Sequence, residues 1–241
     1  ISMYYSSVFT KIIKSNKIEV AEFSKLLENI YRSVNIGFIN EMKFVADKMN
    51  IDIFEIIKIA STKPFGFRPF NPGPGIGGHC IPIDPNYLSW KAKKIGVSTS
   101  FIKLSSKINS KVLSFLKSKI FQVLKEKKIK IHKAKILILG VAYKRNIDDY
   151  RESASIKLLN ILIRKNVKIS FSDPYVKILE TGNKKKELKG IRLSPQRIKN
   201  FDLVILMTDH EKFNYKMIYK NSKLIIDCRG RYNLNHKVIR G

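Results

Sequence analysis

Cys80 follows, one residue after its end, a run of small or ring-locked residues (Gly73, Pro74, Gly75, Gly77 and Gly78), and Asp84 lies four residues further on. A thiolate is a strong nucleophile, and a carboxylate near it could steer water onto a thioester. Glycines such as Gly77 reach backbone angles closed to other residues and let a ligand approach the chain. Pro82 and Pro85 stiffen the far side of the loop. For a cysteine taken alone, a Gly/Pro-rich turn around a buried thiol is the more ordinary reading; the whole string argues for chemistry. Lys25 and Asn29 form a second pair, four residues apart in a helical pattern and so on one face. A cation there suits a developing oxyanion. Its plain alternative is a solvated helix face.

These residues need a scaffold. Apolar positions from Phe23 through Val45 recur at spacings of three and four, which predicts helix over about 18–50, and a second short helix over 51–60. The Pro/Gly loop is expected over about 62–86. A long amphipathic helix is predicted over about 101–126, from Phe101 to Val123. From Lys135 the pattern changes. KILILG, VKISFSDP, FDLVILMTD and KLIIDC are short apolar runs of the kind that buried parallel strands show, with helix expected over 154–165. Strand–helix–strand alternation predicts a parallel sheet with right-handed crossovers, and the boundary is placed between about 126 and 134.

Composition narrows the class. There are 47 basic residues against 19 acidic, a net charge of +28. Such a charge by itself fits nucleic acid or an anionic membrane. Here the lysines are scattered, their densest clusters (Lys125–Lys130 and Lys184–Lys189) fall at expected loops or helix ends, and no nucleic-acid motif accompanies them. A compositional bias explains the charge better, and a basic surface favours a pyrophosphate-bearing ligand. Cys80 and Cys228 have no metal-type spacing, which fits a reducing, cytoplasmic setting; Cys228 reads as a small buried residue. The histidines form no metal cluster. No apolar run approaches the ~20 residues of a membrane span. No GxGxxG turn occurs, and ILGVAYK has one glycine after its strand, so it cannot make that phosphate turn. A start at Ile1 and a stop at Gly241 are read as a fragment.

The string NPGPGIGGHCIPIDPNYL from Asn71 resembles the catalytic loop of the nucleotide-sugar 6-dehydrogenases, the UDP-glucose/GDP-mannose dehydrogenase family. AEFSKLLENIYRSVNIGFINEM from Ala21 and ILGVAYKRNIDDYRESASI from Ile138 are similar to two further family segments, in the family's order. The GGHC form looks like the branch acting on UDP-N-acetylhexosamines. The resemblance implies an α/β chain: a central all-helical dimerisation domain (18–126), then a Rossmann-like parallel-sheet UDP-binding domain (134–241). Residues 1–17 would be the tail end of a missing NAD-binding domain. It implies oxidation of the sugar C6 hydroxyl to a carboxylate with NAD as acceptor, through a thiohemiacetal and a thioester on Cys80. UDP-N-acetylglucosamine is the first-choice substrate, then UDP-N-acetylmannosamine or UDP-glucose; a non-catalytic nucleotide-sugar binding module is the reading from another class.

In the family pattern Lys25 stabilises negative charge on the substrate oxygen, Asn29 orients it or a water, and Asp84 positions the hydrolytic water. His79 could activate the thiol or simply face the sugar. Lys144 matches a position that approaches substrate phosphates, and Arg151 one that approaches the cofactor, with Arg229 a weaker candidate for substrate. The doubled Asp148–Asp149 is a departure expected to leave Lys144 and Arg151 undisturbed. In KPFGFRPF, Phe67 offers stacking surface and Arg68 a charge, which in a homodimer could cross to the neighbouring site.

Overall fold

The computed structural model describes residues 2–78, 80–181 and 186–241. A surface turn of helix, α1 (Ser2–Ser6), precedes the helical part: α2 (Ile18–Lys48), α3 (Ile53–Ala60), α4 (Cys80–Lys94) and α5 (Ser100–Glu126). A 3-10 turn (Ile131–Lys133) leads into β1 (Lys135–Leu139), α6 (Ala154–Ile163), β2 (Lys168–Ser172), the pair β3 (Ile178–Thr181) and β4 (Lys186–Lys189), α7 (Pro195–Lys199), β5 (Leu203–Leu206), α8 (Tyr215–Asn221), β6 (Ile225–Asp227) and β7 (Val238–Arg240). The expected α/β class is borne out.

The long helices exist because their apolar residues form stripes. Ile102, Ile108, Val112, Leu116, Ile120 and Val123 of α5 are all buried. The stripe serves two neighbours. α5 lies along α2 as far as Lys119, which pairs with Asp47, while Leu116, Ile120, Val123 and Leu124 enter the core beneath the sheet. α5 thus ties the helical part to the sheet through one continuous core.

All five strands of the sheet run parallel in the order β2-β1-β5-β6-β7, and β3–β4 is a separate antiparallel hairpin. Alternation along β1 sorts its side chains between faces. Ile136 and Ile138 point into the core shared with α5 and α6, and Leu137 and Leu139 into the one covered by α7 and α8. The order in which strands join the sheet reverses between β1 and β5, so a crevice forms outside their carboxyl ends, the usual ligand position in open α/β sheets.

Three local expectations are corrected. The Pro/Gly loop ends at 79, because α4 already begins at Cys80 and contains Pro82, Asp84 and Pro85. Pro82 falls in the first turn, where the N–H has no helical partner to lose, and only Pro85 removes an interior donor. The cluster Lys184–Lys189 lies partly outside the described residues, and its end forms β4 instead of a loop or helix end. The hairpin, α7 and β7 had no sequence counterpart.

Gly140 closes β1 at φ +78°, and a Cβ built there would lie far inside contact distance of the Thr208 backbone oxygen. Gly140→Ala combines left-handed strain of about 1–2 kcal/mol with a backbone clash, so a total loss of about 3 kcal/mol or more is expected. Thermal unfolding should show a Tm lower by roughly 6 °C or more; an unchanged Tm would mean that the β1 and β5 loops part without penalty.

Candidate active site

The cysteine loop is held between α2 and the carboxyl edge of the sheet. Cys80 is the first residue of α4 and its side chain is exposed. One turn into that helix, Asp84 accepts a 2.7 Å hydrogen bond from Asn29 Nδ2, and Asn29 is buried on α2. On the sheet side Gly77 lies so near Tyr143 that a Cβ there would sit 2.7 Å from the Tyr143 Cβ and 3.2 Å from the Glu152 oxygen. Glycine at this position is required by close approach. The loop is thereby seated against the turn after β1 and the start of α6, where Ser153 caps the helix by accepting from Ser155 N–H.

Three loops at the carboxyl ends of β1, β2 and β5 are locked into one surface by Asp173 and His210. Asp173 Oδ2 accepts from Val141 N–H at 2.7 Å, and its Oδ1 accepts from Tyr175 N–H at 2.8 Å. His210, fully buried, accepts from Asn146 N–H at Nδ1, so its proton sits on Nε2 and is donated to Asp173 at 3.0 Å. Burial pushes the Asp173 carboxyl up, but the His210 contact and the backbone N–H groups bring it below its usual value. Thr208 Oγ1 donates to the Ala142 oxygen at 2.7 Å and completes the lock.

The structure brings some predicted site residues together and leaves others apart. Asn29 and Asp84 meet directly, beside the helix that starts at Cys80. Lys25 lies on the same helix as Asn29 but is exposed and paired with Glu28 at 3.1 Å. Lys144 is exposed on the turn after β1. Arg229 is half-buried; its Nε donates to the Met207 oxygen at 2.6 Å, and a guanidinium nitrogen lies beside Gly73 of the loop. Phe67 is half-buried and Arg68 exposed, ahead of the cysteine loop. His79 lies outside the described residues.

Arg151 requires a correction. Its Nε and a terminal nitrogen both bond Asp149, at 3.0 and 2.8 Å, so the doubled aspartate does occupy this arginine. A two-pronged fit of guanidinium to carboxylate is the favoured geometry for adjacent partners. Nor does the turn after β1 fit a dinucleotide: the Val141 and Ala142 N–H groups already donate to Asp173. No cluster suited to a metal ion is present among the described residues, and none of their helices is long and apolar enough to cross a membrane.

Lys43 carries no local mark in the sequence, being one lysine among many. It is 2 % exposed, and its Nζ donates to the backbone oxygens of Gly73 and Gly241 at 3.1 and 3.0 Å. Burial lowers its pKa from 10.5 to about 8, with nearby Arg229 adding to the drop and Asp47 opposing it. Cys228, fully enclosed beside it, is pushed up from 9.0 to about 12, chiefly by burial. Between pH 8 and 10.5 the unfolded chain binds the Lys43 proton more tightly than the fold does, so stability rises with pH; Cys228 opposes this from about pH 9 upward. From pH 8 to 9 the wild type should therefore gain about 1 kcal/mol relative to Lys43→Met. Urea unfolding at the two pH values checks this, and parallel curves would contradict it.

The comparisons with known proteins agree with this arrangement. The model of the UDP-glucose/GDP-mannose dehydrogenase family, central domain, matches residues 19–111, and that of the family's UDP binding domain matches 137–234. A UDP-N-acetyl-D-mannosamine dehydrogenase of Methanococcus vannielii is 35 % identical, over 97 % of this chain and 53 % of its own. A UDP-N-acetyl-D-glucosamine 6-dehydrogenase of Pseudomonas aeruginosa is 33 % identical, over 73 % of this chain and 41 % of its own. The solved UDP-D-ManNAc dehydrogenase of Pyrococcus horikoshii superposes with a TM-score of 0.76 at 31 % identity, over 90 % of this chain and 49 % of the other. The chain spans about half the length of the curated relatives it matches.

Proposed function

The chain belongs to the UDP-glucose/GDP-mannose dehydrogenase family, and on that premise we propose that it forms the helical and UDP-binding parts of an NAD-dependent UDP-N-acetylhexosamine 6-dehydrogenase. The reading is carried by one observation: Cys80 opens α4 in a loop seated against the sheet's carboxyl edge, one turn from an Asp84 held by Asn29. Relatives named for N-acetylmannosamine and for N-acetylglucosamine stand at similar identity, so the two epimers are equally supported as substrates. A nicotinamide cofactor, when bound, would supply the hydride acceptor for the sugar C6, and since the turn after β1 does not fit a dinucleotide, we assign its binding to residues outside this chain. Residues 1–17 are then read as the edge of that unit.

The chain's own residues would act as follows. Lys144 and Arg229 flank the crevice and suit a pyrophosphate, Arg229 by its planar fork. Lys25, Asn29 and Asp84 line the approach to Cys80. The Cys80 thiolate adds to the C6 aldehyde carbon to give a thiohemiacetal, whose oxidation leaves a thioester. Asp84, fixed by Asn29, steers water to that thioester, and hydrolysis returns the thiol and frees the uronate. An exposed apolar stripe on α2, Phe23, Leu27, Tyr31, Phe38 and Val45, fits the face of a homodimer through the central helices.

The test is NADH formation by the full-length protein containing this chain, offered UDP-N-acetylglucosamine, UDP-N-acetylmannosamine and UDP-glucose separately. About two NADH per sugar with one clear preference is expected, and residues 1–241 alone should form none. Binding of UDP-sugars with no NADH from the full-length protein would leave a nucleotide-sugar binding module.

A further inference from the structure

α2 carries more than the pair that the reaction names. Asn29, Ser33, Asn40 and Lys43 are each 3 % exposed or less. At about 100° per residue they fall, with Lys25, within roughly 80° of arc on one face. Buried polar groups need partners, and these find theirs in the cysteine loop and in α5. Asn109 of α5 donates to the Ser33 backbone carbonyl oxygen at 3.2 Å and accepts from Asn40 Nδ2 at 3.0 Å. Asn40 Oδ1 accepts from Gly73 N–H at 3.2 Å, and Lys43 Nζ donates to the Gly73 oxygen at 3.1 Å. Both backbone polar groups of Gly73 are therefore gripped by side chains one helical turn apart.

The other end of the same loop is gripped as well, since Asn29 holds Asp84. Cys80 lies between these two anchor points, and both anchors stand on one rigid helix that also bears Lys25. We propose that Asn40 and Lys43 are positioning residues that fix the entry of the cysteine loop at Gly73 and thereby set where Cys80 stands relative to Lys25 and Asn29. Lys43 does more, because its second bond goes to the Gly241 oxygen beyond β7. Lys43 thereby ties the loop and the end of the sheet to one point on α2. Apolar packing could fill this space with leucine at less desolvation penalty; an ammonium and an amide instead specify a single backbone position.

The functional half of this proposal rests on the reaction proposed above; the geometric half does not. Hydrogen exchange, followed by mass spectrometry on the full-length protein, reads the geometric half. In Lys43→Met and Asn40→Leu, amides of Gly73 and 75–78 should exchange about tenfold faster while those of β1 and β5 hold. Kinetics reads the functional half. The first oxidation should keep its rate within about twofold, while the second slows about tenfold and free aldehyde is trapped by hydroxylamine. Unchanged exchange in 73–78, an even rise over the whole chain, or equal slowing of both oxidations would overturn the proposal. If Lys43→Met does not fold, Asn40→Leu decides. If the wild type forms no NADH from any UDP-sugar, the proposed reaction fails and exchange alone judges the clamp.

Discussion

Cys80→Ser in the full-length protein is expected to lower uronate formation by on the order of 10³-fold or more, while UDP-sugar binding stays within about twofold. The size follows from the chemistry. A serine hydroxyl ionises far less readily than a thiol, so at this position it supplies almost no alkoxide near neutral pH. An ester, if formed, would also hydrolyse more slowly than a thioester. Folding should be unaffected, because the side chain is exposed at the first residue of α4 and serine is at ease at a helix start. The second cysteine cannot stand in: Cys228 is buried against the sheet core and burial keeps its thiol protonated. Counting NADH per sugar in single turnover checks the result. Two NADH at the wild-type rate from the variant would remove Cys80 from the chemistry altogether.

What the sequence made legible follows from how each feature repeats. α2 and α5 were readable because an amphipathic helix repeats its apolar positions over many turns, and β1, β5 and β6 because strands buried on both faces are continuous apolar runs. α4 was hidden by Pro82 and Pro85, which read as breakers unless the start of the helix is already known. The short β3, β4 and β7 carry too few residues to show a period. At the site, the loop around Cys80 stood out through its glycines, and the pairing of Asn29 with Asp84 fits the roles that the family resemblance assigned them. The groups that hold that loop did not stand out. Asp173 and His210, or Asn40 and Gly73, are far apart in sequence, and nothing local marks a lysine such as Lys43 as buried. Arg151 shows the converse, an arginine whose family match was visible and whose local partner Asp149 was discounted.

The largest stability effect is expected from Arg240→Leu. Arg240 donates from Nε and one terminal nitrogen to Asp52, at 2.9 and 2.5 Å, and from the other terminal nitrogen to Asp227 at 3.0 Å. It thus links α3, whose N-terminus Asp52 caps, to the end of β6. The side chains are 10 % exposed for Arg240, 14 % for Asp52 and 0 % for Asp227. Removing the cation leaves two carboxylates facing each other with little water, a situation that costs about 3–5 kcal/mol. Thermal unfolding should register a drop of roughly 6–20 °C. The pH dependence identifies the cause. Burial already raises the Asp227 pKa, and Arg240 is one of the groups that hold it down, so the variant's Asp227 titrates higher still. A carboxyl raised above its unfolded value makes stability fall as pH rises, so the deficit should shrink as pH is lowered from 7 toward 5. Adding Asp52→Asn, which keeps the α3 cap while removing one charge, should recover part of the loss. The double variant would then be less destabilised than the sum of the singles, the signature of direct coupling. Additive losses would mean that Arg240 contributes only packing, and that the sheet is held on α3 by apolar contacts such as Phe54 beneath its guanidinium.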